Sequence, residues 1–295
     1  MASPNFEHLL PTNWKKLVSS WLDEDTPSFD YGGFVVGETD QVAILYGKAQ
    51  GVLAGVPFFN EVFTQVGCKV EWSLKEGESF TPGPTGRLEV ARVHGKARHL
   101  LLGERPALNM LARASGVATR ARRLKALQEK HGWKGVIAGT RKTTPGFRIV
   151  EKYAMLVGGI DTHRVDLSSM IMLKDNHIWA SGSITSAVKQ ARSVGGFALK
   201  IEVECGSEAE ADEAIAAGAD IVMLDNFDGA GMVAAAQNVK QRWAGKKSFI
   251  IEGSGGLTED NVVDYFGEHV DVLSFGSVTQ SVPHIDFSLK VIPKK

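Results

Sequence analysis

Two hydrophobic rhythms run along this chain, and one gives way to the other near Gly132. Before it, Trp14, Leu17, Val18, Trp21 and Leu22 recur at spacings of three and four, one face of a helix. Short β-favouring segments follow, Val42 to Tyr46, Val70 to Leu74 and Leu88 to Val93, with a helical pattern from Pro57 to Val66 between the first two. Thr81-Pro-Gly-Pro-Thr-Gly86 is strong turn punctuation between the last two strands, so this stretch reads as a small α+β unit. A long helix is predicted from about Glu104 to Lys130, with Pro106 in its first turn and Ser115-Gly116 as a break.

After Gly132, apolar runs alternate with helical stretches. The runs are Val136 to Gly139, Met170 to Leu173, Phe197 to Val203, Ile221 to Leu224, Phe249 to Ile251 and Val270 to Ser274. The helical stretches are Thr185 to Val194, Glu208 to Ala217, Gly229 to Trp243 and Glu259 to Phe266. Ser207-Glu-Ala-Glu210 is a capping box, and Gly218 stands where its helix stops. Repeated βα units give parallel strands with right-handed crossovers, hence a barrel or a doubly wound sheet.

The strand ends favour the barrel. Arg141-Lys142, Lys174-Asp175, Glu202 with Glu204, Asp225-Asn226, Ser254-Gly-Gly256 and Gly276 follow the six runs in turn. One such group would begin a solvated loop, whereas six in succession describe the catalytic face of a barrel, where all strand ends converge. Lys200, Glu202 and Glu204 alternate with Ile201 and Val203, so the three polar residues should share the interior side of their strand. Glu252-Gly-Ser-Gly-Gly256 leaves a strand and enters a helix near Thr258, and with Gly276 after the next strand it reads as a phosphate site.

Composition narrows the chemistry. The 295 residues, 43% hydrophobic and 23% charged, suit a folded globular protein. With 33 Lys and Arg against 34 Asp and Glu the formal charge is -1, which argues against nucleic-acid and membrane partners. The basic residues Arg141, Lys142, His163, Arg164 and Lys174 therefore form a local site for a multiply anionic substrate. Two isolated cysteines, Cys68 and Cys205, make no disulfide framework or zinc motif and fit a reducing compartment, the cytoplasm and with it the nucleus. Met1 to Leu10 has no apolar signal core, and no run is long enough for a membrane span.

Together, Glu104-Arg-Pro-Ala-Leu-Asn109, Gly139-Thr-Arg-Lys-Thr-Thr-Pro-Gly146, Glu151-Lys-Tyr153, His163-Arg164, Lys174-Asp-Asn-His177, Lys200-Ile-Glu-Val-Glu204, Leu224-Asp-Asn226 and Ser254-Gly-Gly256 resemble the quinolinate phosphoribosyltransferase family. The resemblance runs from about Gln41 to Lys290, departing at Pro106, where Thr or Val would follow the arginine. It implies an α/β fold: an N-terminal α/β sandwich (residues 1–115), an incomplete α/β (TIM-like) barrel with the active site (116–278), and a last segment (279–295) packing back on the first domain.

The implied reaction transfers phosphoribosyl from 5-phosphoribosyl-1-diphosphate to quinolinate with decarboxylation, giving nicotinate mononucleotide, diphosphate and carbon dioxide in NAD synthesis. Arg141, His163, Arg164 and Lys174 would hold the two carboxylates, with Lys142 shared with the sugar diphosphate. Lys142, Glu204 and Asp225 would be catalytic, the two acids stabilising a cation-like ribose carbon, gripping hydroxyls or holding Mg²⁺ directly or through water. Ser254, Gly255, Gly256 and Gly276 would cradle the 5-phosphate. Arg105 would enter a neighbouring subunit, making a homodimer the minimum unit, with a hexamer as three such dimers. A nicotinate-specific relative, a Schiff-base lyase using Lys142, Lys174 or Lys200, and a non-catalytic anion binder are the competing readings.

Overall fold

A computed structural model describes residues 5–293, so residues 1–4 of the N-terminal stretch and residues 294–295 of the last segment lie outside it. Its strands are β1 (Asp40–Gly47), β2 (Gly51–Val52), β3 (Lys69–Trp72), β4 (Ser79–Phe80), β5 (Leu88–Lys96), β6 (Val136–Ala138), β7 (Ile171–Leu173), β8 (Ile201–Cys205), β9 (Ile221–Asp225), β10 (Ile250–Ser254), β11 (Val272–Ser274) and β12 (Phe287–Val291). They divide between two units, residues 1–122 with 143–159 and 281–295, and residues 123–142 with 160–280. Among the described residues, no helix is long and apolar enough to cross a membrane.

The first unit is built on an antiparallel sheet in the order β12-β1-β5-β3. Its core is aromatic. Phe58, Phe59 and Phe63 of the helix Val56–Gln65 are fully buried, Phe58 packing edge-on against Trp14 and Tyr153, and Phe59 against Phe63 and Trp72. Each such side chain contributes about 1.5–3 kcal/mol of burial.

The long helix differs from its expectation at both marks. It runs without interruption from Ala97 to Lys130, so Pro106 lies in its interior. It starts early because β5 feeds straight into it, Thr39 and Gly37 carbonyls accepting the N–H groups of Ala97 and Arg98, so no capping side chain advertises the start. Ser115-Gly116 is not a break. The buried Ser115 hydroxyl accepts from Ala54 N and donates to Ala54 O, and a Cβ on Gly116 would stand 2.3 Å from the Pro283 carbonyl oxygen. Small residues serve close packing here. Gly116→Ala should lower thermal stability, because about 1–3 kcal/mol of overpacking exceeds the roughly 1 kcal/mol of helix propensity gained. A melting temperature at or above wild type would contradict this.

Glu76 caps the helix Val56–Gln65, its carboxylate oxygens accepting from Gly55 N and Val56 N at 2.9 and 3.0 Å. Burial dominates over these bonds and raises its pKa from 4.5 to about 7. The folded state therefore holds this proton more tightly than the unfolded chain. The stabilisation is complete below pH 4.5 and is lost as pH rises through about 7, about 3 kcal/mol across the window. Glu76→Gln should show a flatter stability profile than wild type between pH 5 and 8. Parallel profiles in denaturant titrations would refute it.

The second unit is a six-stranded, all-parallel sheet ordered β6-β11-β10-β9-β8-β7. Read as a circle this is chain order, the winding of a barrel. The turn is incomplete, as the family resemblance implied: among the described residues no strand pairing joins β6 to β7, and on the side away from β11 the sheet is extended by one isolated parallel bridge, Ala138 to Asp161. Helices Ile184–Gly195, Glu208–Ala217 and Gly229–Trp243 start where Ser183, Ser207 and Asp228 side chains accept an N–H of the first turn. Two expectations fail. Phe197 is fully exposed, in a turn set by Gly196 (φ +58°), and the strand begins only at Ile201, leaving Lys200 outside it and exposed. The helix from Glu259 to Phe266 shrinks to a 3₁₀ turn, Val262–Tyr265. The Asn261 side chain takes the Thr258 N–H and donates to the Gly256 carbonyl, and this local bonding competes with helix initiation.

Candidate active site

Parallel pairing lines up the strand ends of the second unit: Glu204 lies opposite Met223, and Ser254 opposite Asp225. At these ends a cavity of about 510 Å³ opens, lined entirely from this unit. It brings together Arg141, Lys142, His163, Arg164, Lys174, Glu204, Asp225, Ser254, Gly255 and Gly256. Two predicted residues are not among its lining. Gly276 lies beside Lys142, whose Cδ would be 3.2 Å from an added Cβ. Arg105 is exposed on the helix Ala97–Lys130 in the other unit.

The cations come from the loops at the open side of the sheet. Lys142 is exposed, but its backbone is pinned: the Thr279 hydroxyl donates to its carbonyl at 2.6 Å and its N–H reaches Thr140 Oγ1. The Arg164 guanidinium is half-buried, donating to the Met170 carbonyl and contacting Met172 Sδ. Burial, and then the Arg141 charge, push its pKa below the usual arginine value. Like charges crowded in this way are relieved by an anion. Lys174 forms an ion pair with Glu204, and its backbone N–H donates to His177 Nδ1, which closes the Lys-Asp-Asn-His turn.

Glu204 and Asp225 stand next round the sheet, on β8 and β9. Asp225 is raised above the ordinary aspartate value, by burial first and by the Glu204 charge second, with Lys174 and Lys142 opposing. Two crowded carboxylates are hard oxygen donors suited to Mg²⁺, and a cation would relieve their repulsion. Then comes the glycine turn after β10. Gly255 and Gly256 have φ +93° and +65°, and a Cβ on Gly255 would fall 2.8 Å from the Asn226 backbone nitrogen. Asn226 N–H in turn donates to the Ser254 carbonyl, tying the two loops. Because no α-helix follows this turn, an anion here would rest on backbone N–H groups without a helix dipole.

Sequence reasoning placed Glu202 on the interior side of its strand but missed Glu252, which lines the cavity beside it. Glu252 is 2% exposed on β10, and its carboxylate meets His163 Nε2 at 3.0 Å. Glu202, also buried, lies 3.9 Å from the same nitrogen, and burial followed by the Glu252 charge holds its pKa well above the carboxylate range. The signal was present: Glu252 directly follows an apolar run, two residues before Ser254, and shares its side of the strand. Among the described residues, His163 and Asn226 are the non-glycine positions with positive φ, +57° and +62°, and both line the cavity. Backbone strain of this kind gathers at functional sites. Lys200, exposed and outside the cavity lining, drops out as a Schiff-base lysine.

Family descriptions match most of the chain: quinolinate phosphoribosyl transferase, N-terminal domain, over residues 30–115, and the corresponding C-terminal domain over residues 117–290. The carboxylating nicotinate-nucleotide pyrophosphorylase of Dictyostelium discoideum is 54% identical over 288 residues, covering 94% of this chain and 95% of its own. Its namesake from Homo sapiens is 48% identical over 287 residues, covering 97% and 94%. Among solved structures, nicotinate-nucleotide pyrophosphorylase from Francisella tularensis aligns with a TM-score of 0.85 at 31% identity, over 96% of this chain and 98% of its own.

Proposed function

This chain belongs to the quinolinate phosphoribosyltransferase family, and from that membership we infer how its cavity works. The enzyme transfers phosphoribosyl from 5-phosphoribosyl-1-diphosphate to quinolinate and decarboxylates the product, yielding nicotinate mononucleotide, diphosphate and carbon dioxide for de novo NAD synthesis. One observation carries the assignment of roles: from β7 through β8 and β9 to β10 the lining runs cation, acid, acid, glycine turn. That is the order of base, ribose and 5-phosphate in the nucleotide product.

Arg141, Arg164 and Lys174 bind the two carboxylates of quinolinate, Arg141 and Arg164 through the bidentate fork of arginine. His163 holds the loop that carries Arg164. Lys142 serves both the base and the diphosphate. As diphosphate leaves, positive charge grows on the ribose carbon, and Glu204 and Asp225 stabilise it while holding the ribose hydroxyls. Glu204 and Asp225 would also hold Mg²⁺, directly or through water, and the ion would neutralise charge on the departing diphosphate. Ser254, Gly255 and Gly256 hold the 5-phosphate, and Gly276 leaves room for the Lys142 stem. Loss of carbon dioxide leaves an electron pair on the ring carbon, which the cationic ring nitrogen and the arginines stabilise until a proton from solvent is taken up there to form the C–H bond of the product. No protein nucleophile is needed.

Arg105, exposed and absent from its own cavity lining, completes the base pocket of a second subunit, which makes a dimer the working unit and a hexamer three such dimers. Arg105→Ala alone should be inactive, and mixing it with Lys142→Ala should restore activity through mixed dimers. Mixed dimers that form and stay inactive would remove this role. Two free thiols, Cys68 and Cys205, support a cytoplasmic setting.

The reading is tested by supplying quinolinate, 5-phosphoribosyl-1-diphosphate and Mg²⁺, following nicotinate mononucleotide and carbon dioxide, and repeating with nicotinate. Product from quinolinate alone supports the two-carboxylate pocket. Product from nicotinate alone overturns the assignment of the base site.

A further inference from the structure

The backbone N–H of Arg164 donates to His163 Nδ1 at 2.8 Å. An accepting Nδ1 bears no proton, so the imidazole proton is on Nε2, where the Glu252 carboxylate oxygens receive it at 3.0 and 3.2 Å. The ring is thus fastened at both nitrogens. It needs to be, because His163 has φ +57°, a conformation that costs a non-glycine residue about 1–3 kcal/mol. Further bonds complete the turn: His163 N–H donates to Asp161 Oδ1 at 2.6 Å, and the Thr162 hydroxyl donates to the His163 carbonyl. With Nδ1 bonded in this way, Nε2 is not a lone-pair donor, so His163, which lies beside Glu202 and Glu252, is arranged for its hydrogen bond to Glu252 rather than for a metal ion.

We infer that Glu252 is a positioning residue for substrate binding: it fixes the His163 ring and, through it, the strained peptide that aims the Arg164 guanidinium into the cavity. The chain Glu252–His163–Arg164 sets the arginine before the substrate arrives, which lowers the ordering cost of binding. The inference rests on the reading that Arg164 takes a carboxylate of quinolinate.

The relay needs an acceptor at position 252, not a charge, so two variants of the full chain separate the roles. Glu252→Gln keeps an oxygen for Nε2–H and should retain a KM for quinolinate close to wild type. Glu252→Leu removes the acceptor at similar volume and should raise that KM on the order of 10- to 100-fold, leaving the KM for 5-phosphoribosyl-1-diphosphate unchanged. Long-range proton–nitrogen NMR on the wild-type protein should find His163 as the Nε2–H tautomer, whatever the folding yield of the Leu variant. The inference is overturned if Gln is as damaging as Leu, if both KM values move together, or if Nδ1 carries the proton. A wild type inactive on quinolinate would fail the functional reading first, before any variant is compared, and the inference would fall with it.

Discussion

Replacing Lys142 by alanine should leave a fully folded protein with roughly 1000-fold or more lost from kcat/KM, about 4 kcal/mol of transition-state stabilisation. The side chain is exposed, so its removal opens no core cavity. What holds the segment is independent of the ammonium group: Thr279 on the Lys142 carbonyl, and Gly276 leaving room beside the stem. The charge itself acts on the site, since it is among the groups that lower the Asp225 pKa. Both substrates lose a partner, so the defect should appear in turnover and in both KM values. Wild-type kinetics with an unchanged melting temperature would remove Lys142 from the catalytic machinery.

Arg164→Ala should separate stability from activity in opposite directions. Charge-assisted hydrogen bonds to a carboxylate are worth about 1.5–3 kcal/mol each, so losing a bidentate pair should weaken quinolinate binding by roughly 100-fold or more. The unliganded protein, however, is relieved of a half-buried cation beside Arg141. Its melting temperature should therefore equal or exceed that of wild type, a trade-off expected where a site stores repulsion for its ligand. Calorimetric titration with quinolinate and a thermal melt check both halves. Tight binding by the variant would show that the carboxylates go elsewhere.

The legible parts of this molecule are those where one local rule operates unopposed. Glu208 to Ala217 was readable to the residue, since a serine cap, acidic first turn and terminal glycine all agree. The strand ends were readable because polar or glycine-rich groups follow six apolar runs in succession, where one alone would only begin a solvated loop. Illegible elements are those where a distant partner overrides the pattern. The helix Arg148–Gly158 carries buried Glu151 and Lys152 on what should be its core side. Glu151 belongs there only because Arg113 pairs with it at 2.8 Å and Thr144 donates to it twice. Glu252 was overlooked for the same reason. Its partner, His163, lies 89 positions away, and no spacing rule connects them. Pro106 and Ser115-Gly116 misled in the other direction, because punctuation that usually ends a helix is tolerated within one where the surroundings fix its course.

The pairing of β12 with β1 sets the order in which the molecule can assemble during synthesis. Leu45 lies opposite Leu289 in that ladder, so β1 leaves the ribosome long before its outer neighbour exists. All six strands of the parallel sheet are translated in the interval. One edge of β1 therefore stays unpaired throughout the synthesis of the second unit, until residues 287–291 emerge. Unpaired edges of this kind recruit other chains, which makes nascent polypeptides stalled short of β12 the natural clients of a chaperone.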